Sequence, residues 1–146
     1  MENRNVLMRC FCGVLGLILV TFICLPALGQ TNDVKKPTIT ITSVPTDPPG
    51  ESMASDPIKG TVSGGNPKEQ KVVIYALGGD RWWVQPTAAS PLTDIEEDGK
   101  WESATHGGTT FAVLLVKSSY EAKATLDTIP AVGGDILAKA TKKPKK

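Results

Sequence analysis

Short apolar runs separated by turn-forming residues dominate the chain after residue 37. Residues 38–44 alternate isoleucine with threonine, which is typical of a strand with one buried face. Residues 109–117 are apolar at successive positions and predict a central strand that is covered on both faces. Clusters of Gly, Pro, Asn and Asp separate the runs, and no segment shows convincing helical amphipathicity, with its period of about 3.6 residues. The pattern therefore predicts strands joined by turns.

Residues 71–86 carry the densest group of aromatic side chains. An apolar run at 72–77 and an aromatic run at 81–85 flank the sequence Gly-Gly-Asp. Two strand-like runs around such a break predict a β-hairpin. Because Trp82 and Trp83 belong to the second run, we expect this hairpin to supply a large share of the buried area.

Seven segments have strand character: residues 38–44, 58–63, 71–77, 81–85, 100–104, 109–117 and 135–141. Their number, about seven, and the regular turn signals between them favour a single antiparallel β-sandwich of Ig-like type. The predicted organisation is a β-sandwich domain at 38–141, a flexible lead-in at 30–37 before it and a basic tail at 142–146 after it.

Residues 1–29 have the composition of a secretory signal peptide. Arg4 and Arg9 give a weakly basic start, a long apolar run follows, and Ala27 and Gly29 fit the small-residue cleavage pattern. We expect cleavage after Gly29 and a secreted product, extracellular or periplasmic, with no membrane attachment afterwards. The alternative is an uncleaved membrane anchor, because the apolar run is near the lower limit for spanning a bilayer.

Cysteine and charge content narrow the possible functions. All 3 cysteines precede the expected cleavage site, so the domain has neither a disulfide nor a thiolate metal site.

The net charge of the expected mature chain is unevenly distributed. Removing Glu2, Arg4 and Arg9 from the 16 basic and 15 acidic residues leaves equal numbers of each. Because several of the remaining lysines lie at 142–146, the body without this tail is mildly acidic. Such a body does not suit nucleic acid. The tail either solubilises the chain or contacts anionic wall polymers or lipid headgroups.

Catalytic and metal-binding arrangements are poorly supported. His106 is the only histidine and would have to serve as the base of any Ser-His-Asp site. The simpler interpretation is that it hydrogen-bonds locally and shapes the turn at 105–108. The acidic run from Asp94 to Gly99 copies the start of a calcium loop, but Thr105 stands where the bidentate glutamate should be. We therefore predict a solvated turn there, and no catalytic residue, metal or cofactor.

The adjacent indoles are the best binding candidates. Since successive side chains of a strand point to opposite faces, one of Trp82 and Trp83 should lie in the core and the other nearer solvent. An exposed indole can stack on the apolar face of a sugar ring, with Arg81 and Gln85 as neighbouring polar groups. The alternative is that the following loop covers the second indole. Trp101 is expected to belong to the core.

Short motifs are spread along almost the whole predicted domain, and each occurs once: ITSVP at 41–45, KVVIYA at 71–76, WWVQP at 82–86, DGKW at 98–101, THGG at 105–108, FAVLLV at 111–116 and VGGD at 132–135. In this order they resemble a family of small Ig-like β-sandwich accessory modules of secreted bacterial proteins, often found beside glycoside hydrolases. The resemblance implies a non-catalytic binding or accessory role, with an extracellular polysaccharide or a secreted or surface protein as partner. The alternative is a structural or protein-interaction module without a small ligand.

Overall fold

The computed structural model describes residues 36–46 and 55–145, so the predicted signal peptide and its cleavage site lie outside the described residues. Nine strands occur within these two ranges. In chain order they are β1 (Thr38–Ser43), β2 (Asp56–Ser63), β3 (Gln70–Gly78), β4 (Arg81–Gln85), β5 (Leu92–Thr93), β6 (Lys100–Thr105), β7 (Thr110–Lys117), β8 (Thr125–Leu126) and β9 (Ile136–Lys142). All seven predicted strand segments are present, and the two-residue strands β5 and β8 are additional.

The strands form two antiparallel sheets. The smaller sheet has the order β1-β2-β6, and the larger has the order β8-β4-β3-β7-β9, with β5 also pairing with β3. The predicted antiparallel, all-β sandwich is confirmed. Across the two described ranges, no helix has the length and apolar character that would be needed to cross a bilayer.

The predicted hairpin at 71–86 is the pair β3–β4. Its loop is two residues long, because Gly78 pairs with Arg81. Gly79, the first loop residue, has a φ of 68°, a conformation that glycine adopts without the steric cost of a Cβ atom. The Gly-Gly-Asp sequence therefore fixes the register that places each aromatic residue of β4.

Strands β3 and β7 form the centre of the larger sheet and are buried on both faces. Residues 72–76 and 111–116 are each at most 3% exposed. Each face then needs its own cover. Two apolar clusters result. The inner core lies between the two sheets and includes Ile58 and Trp101 of the smaller sheet with Ile74 and Phe111 of the larger. The outer core lies on the opposite face of the larger sheet and consists of the buried residues Val73, Tyr75, Val84, Leu114, Val116 and Ile136. The prediction that 109–117 is a doubly covered central strand is confirmed.

The segment at 118–130, which is irregular apart from the short strand β8, packs over the outer core. The side chains that pack there from this segment are Tyr120, Ala122, Leu126 and Ile129. The Tyr75 hydroxyl donates a hydrogen bond to the Lys123 carbonyl oxygen at 3.0 Å, and the Val84 N–H donates to the Ala124 carbonyl oxygen at 3.0 Å. Burial, and secondarily the negative charge of an ionised Tyr120, raise the pKa of Tyr75 from 10.0 to about 12.

The inner core is built around Trp101, which is 1% exposed as predicted. Its indole lies directly over Gly60 of the neighbouring strand β2, and a Cβ atom at position 60 would overlap both this ring and the Thr40 carbonyl oxygen. The Trp101 Nε1 has no hydrogen-bond partner among the described residues. The ring therefore stabilises the sandwich through buried area and close packing.

The basic end of the chain begins inside the fold. Lys142, assigned to the tail by sequence, is the last residue of β9. Its Nζ donates hydrogen bonds to the Ile41 carbonyl oxygen at 3.1 Å and the Thr42 carbonyl oxygen at 2.7 Å. The prediction that the frayed tail starts at residue 142 is therefore wrong, because this ammonium group ties β9 to β1.

We expect Gly60→Ala to destabilise the domain by about 2–3 kcal/mol or more, because its Cβ has no space between the Thr40 carbonyl and Trp101. Urea denaturation measures the change. Gly78→Ala is the matched control within a strand, since its nearest neighbour would be the Trp83 Cδ1 at an ordinary 3.6 Å. Equal losses in the two variants would contradict the packing of Trp101 on Gly60.

The raised pKa of Tyr75 predicts a loss of stability at high pH. Below pH 10 both states keep the phenol proton; between pH 10.0 and about 12 only the unfolded chain ionises, so the free energy of unfolding falls. The full loss is about 2–3 kcal/mol. Tyr75→Phe should cost about 1 kcal/mol at neutral pH, through the lost hydrogen bond, and should flatten the alkaline decline. Urea denaturation at a series of pH values compares the two proteins; parallel declines would refute this origin.

Candidate functional site

The two adjacent tryptophans of β4 lie on opposite faces of the larger sheet. Trp82 is partly buried and packs in the outer core, where it stands opposite Leu126 of β8. Trp83 is 50% exposed. The predicted opposition of the two indoles is confirmed, although the indole on the core side, Trp82, is only partly buried.

Small residues on β3 determine where the Trp83 ring lies. Trp83 stands opposite Ala76, and its indole extends beside Gly78, where an added Cβ would lie 3.6 Å from the Trp83 Cδ1. The Trp83 Nε1–H donates a hydrogen bond to the Gly78 carbonyl oxygen at 3.3 Å. The ring is thus held along its nitrogen-bearing edge while much of its surface faces solvent.

A cleft of about 320 Å³ opens beside this indole. One wall is formed by β4 and β3, and the other by the turn that follows β6. The residues that line it are Ala76, Gly78, Trp83, Val84, Gln85, Pro86, His106 and Gly107. The cleft joins an aromatic platform to a turn that is more than twenty positions away in the chain, and it is our candidate functional site.

Gln85 connects the two walls. Its side chain is almost enclosed, at 5% exposed, and its Oε1 accepts the His106 backbone N–H at 3.0 Å. The same oxygen lies 3.1 Å from the His106 Nδ1, and the Gln85 Nε2 donates to the Trp83 carbonyl oxygen at 3.3 Å. A backbone N–H can only donate and a carbonyl can only accept, so these contacts fix which end of the amide is oxygen.

The orientation of this amide also fixes the histidine tautomer. Since Gln85 Oε1 is an acceptor, the neutral His106 ring carries its proton on Nδ1. The Nε2 of that ring then has a free lone pair. The expectation that the imidazole hydrogen-bonds locally is wrong, because its partner among the described residues is the Gln85 side chain of β4, 21 positions away.

The other two sequence candidates lie outside the cleft. Trp82 faces the outer core, and the guanidinium of Arg81 lies 3.7 Å from the Asp127 carboxylate, with both side chains largely exposed. The structure therefore brings together Trp83 and Gln85, and adds His106 to them. The sequence signal for His106 was its position in Thr-His-Gly-Gly at a strand end, but that signal does not reveal its partner.

The acidic run from Asp94 to Gly99 forms a turn whose aspartates pair with lysines of β3 and β6. Asp98 Oδ1 accepts the Lys100 backbone N–H at 3.0 Å, and the Asp98 carboxylate forms an ion pair with the Lys100 ammonium. These contacts lower the pKa of Asp98 and raise that of Lys100. Asp94 pairs with Lys71. Over the described ranges, no three His, Cys, Asp or Glu side chains are grouped so as to hold a metal ion.

Comparison of the chain with family models, curated proteins and solved structures found no match. The cleft itself combines a fixed aromatic surface, a buried amide whose oxygen accepts two N–H groups, and an exposed imidazole whose Nε2 has no partner among the described residues.

We expect Gln85→Ala to release the His106 ring. The His106 backbone N–H loses its partner, which costs about 1–3 kcal/mol, and Nδ1 loses the acceptor that holds its proton. Long-range ¹H–¹⁵N correlation NMR should show the Nδ1–H tautomer in the wild type and a mixture of tautomers in the variant. His106 gives the only imidazole signal of the untagged chain. An Nε2–H tautomer in the wild type would contradict the assigned network.

Proposed function

We propose that this protein is a secreted, non-catalytic binding module that holds a sugar ring of an extracellular polysaccharide against Trp83. The observation that carries the proposal is the half-exposed indole, fixed by its hydrogen bond to Gly78 at the mouth of a cleft. Sites for small ligands combine apolar walls with a few placed polar groups, and this cleft has that composition.

A sugar ring suits the Trp83 surface for a simple reason. One face of many pyranose rings presents C–H groups, which can lie flat on an indole, while the hydroxyl groups at the rim form hydrogen bonds. Because Trp83 is already fixed in the free protein, little side-chain freedom is lost on binding. Truncating a central aromatic anchor of this kind typically costs about 2 kcal/mol or more.

The cleft supports binding better than catalysis. A histidine base is normally oriented by a carboxylate at Nδ1, whereas the His106 Nδ1 faces the Gln85 amide oxygen. Glycoside hydrolysis uses two carboxylates on either side of the scissile bond. The lining residues among the described part of the chain include no Asp or Glu. These features favour a module that retains a glycan without cleaving it.

Secretion is proposed from the amino-terminal pattern. The weakly basic start, the apolar run and the small residues Ala27 and Gly29 are those of an exported chain. The cysteine-free domain relies on its two apolar clusters for stability. A polysaccharide outside the cytoplasm is the partner that best suits both the export pattern and the Trp83 cleft.

We expect Trp83→Ala to lose glycan retention by about 30-fold or more while remaining folded, since the side chain is half exposed. Trp82→Ala is the matched control one residue away: it should lose stability through the outer core and keep retention. Affinity electrophoresis on gels containing soluble plant and bacterial polysaccharides measures retention, and thermal unfolding measures stability. Equal retention by wild type and Trp83→Ala would contradict the proposal that the Trp83 indole binds the sugar ring.

The same experiment distinguishes the second class of function. If folded wild-type protein is retained by none of the polysaccharides, the sugar-binding proposal fails. The resemblance to accessory modules would then favour a structural or protein-interaction role without a small ligand.

A further inference from the structure

We infer that His106 accepts a hydroxyl hydrogen bond through Nε2, and that the cleft therefore selects uncharged sugar units over uronates and other anionic sugars. The inference rests on the proposed function of the Trp83 cleft and specifies the ligand class that the cleft takes. It follows from two features of the site: the fixed tautomer of the imidazole, and a lining whose described residues include no Lys, Arg, Asp or Glu.

The tautomer of His106 determines whether its ring accepts or donates a hydrogen bond to a ligand. The Gln85 Oε1 uses both of its lone pairs, one on the His106 backbone N–H at 3.0 Å and one on Nδ1 at 3.1 Å. The amide oxygen is therefore already satisfied and is not free to bind a ligand. The His106 Nε2 has no hydrogen-bond partner among the described residues, and His106 is exposed. A ligand hydroxyl that meets this nitrogen has to donate.

The charge of the lining gives the second argument. Its described residues include no Lys, Arg, Asp or Glu. Arg81, the cation of β4, is not among the lining residues, and its guanidinium lies 3.7 Å from the Asp127 carboxylate. A carboxylate placed over Trp83 would give up water without an ion-pair partner among the described lining residues, and it would face the lone pair of Nε2. A hydroxyl carries no charge to desolvate and can donate to that lone pair. An uncharged ring is therefore preferred.

The two walls of the cleft would contact a sugar at two points. Trp83 supplies the apolar surface, and His106 supplies a hydrogen-bond acceptor from the facing turn. Gln85 acts as a positioning residue, since it is 5% exposed and holds both the turn and the ring. A sugar whose ring stacks on the indole and whose rim hydroxyl donates to the imidazole satisfies both.

Pairs of polysaccharides that share a backbone and differ in charge test the inference. Affinity electrophoresis compares fully methyl-esterified with de-esterified homogalacturonan, and hydroxyethyl cellulose with carboxymethyl cellulose. We expect the wild type to be retained by the neutral member of at least one pair, at least tenfold more strongly than by its anionic member. Equal retention of both members, or preference for the anionic one, would overturn the inference while leaving a sugar-binding Trp83 in place. No retention of any polysaccharide would overturn the proposed function as well.

Variants at position 106 separate an acceptor role from a structural one. His106→Ala should weaken retention of the neutral member about tenfold, the effect of one lost hydrogen bond. His106→Gln, which keeps an oxygen acceptor, should recover part of it, and His106→Lys should shift preference towards the anionic member. A merely structural role would not change charge preference. If His106→Ala and the wild type retain the neutral member equally, the acceptor role is excluded.

A spectroscopic measurement on the wild type makes the test independent of variant folding. Adding the retained neutral polysaccharide should shift the ¹⁵N resonance of the His106 Nε2 in the direction of a hydrogen-bonded acceptor, with Nδ1 almost unchanged. The single histidine of the untagged chain makes the assignment unambiguous. A shift confined to Nδ1, or no shift at saturation, would overturn the inference.

Discussion

Burial of the central strand pair on both faces is the constraint on which the rest of the structure depends. Residues 72–76 and 111–116 carry apolar side chains at successive positions, so neither face of β3–β7 can be left to water. The smaller sheet covers one face. With no helix available in the described ranges, the irregular segment around Tyr120 and Leu126 covers the other. The outer core is thus part of the fold's stability and not an accessory cluster.

The same constraint produces the site. The segment that covers the outer core reaches β4 through β8 and partly buries Trp82. The inner cover does not extend over the end of the β3–β4 hairpin, where Trp83 projects on the other face. The turn after β6 approaches this gap, and Gly108 passes so close that an added Cβ would lie 3.1 Å from the Ala76 Cβ. The segment at 118–130 extends as far as β4, whereas the smaller sheet does not cover the end of the hairpin. Trp83 is therefore half exposed and faces the turn after β6.

Local pattern was sufficient to predict most of the strands and the opposition of the two indoles, because both follow from side-chain alternation. It could not predict β5 and β8, which are two residues long and exist only because a neighbouring strand is present to pair with them. It also could not choose between Trp82 and Trp83, since that depends on how far each cover extends. The contact between Gln85 and His106 joins positions 21 apart and leaves no periodic signal.

The buried Gln85 amide joins the two walls of the cleft inside a small domain that contains no cysteine. An enclosed amide is costly unless its groups are paired, and here the oxygen accepts two N–H groups while the nitrogen donates to a backbone carbonyl. Any displacement of the His106 turn would leave that oxygen unpaired in a nearly closed space. The energetic penalty for moving is therefore concentrated at the residue that joins both walls of the cleft, which makes the position of the imidazole relative to Trp83 a property of the folded core.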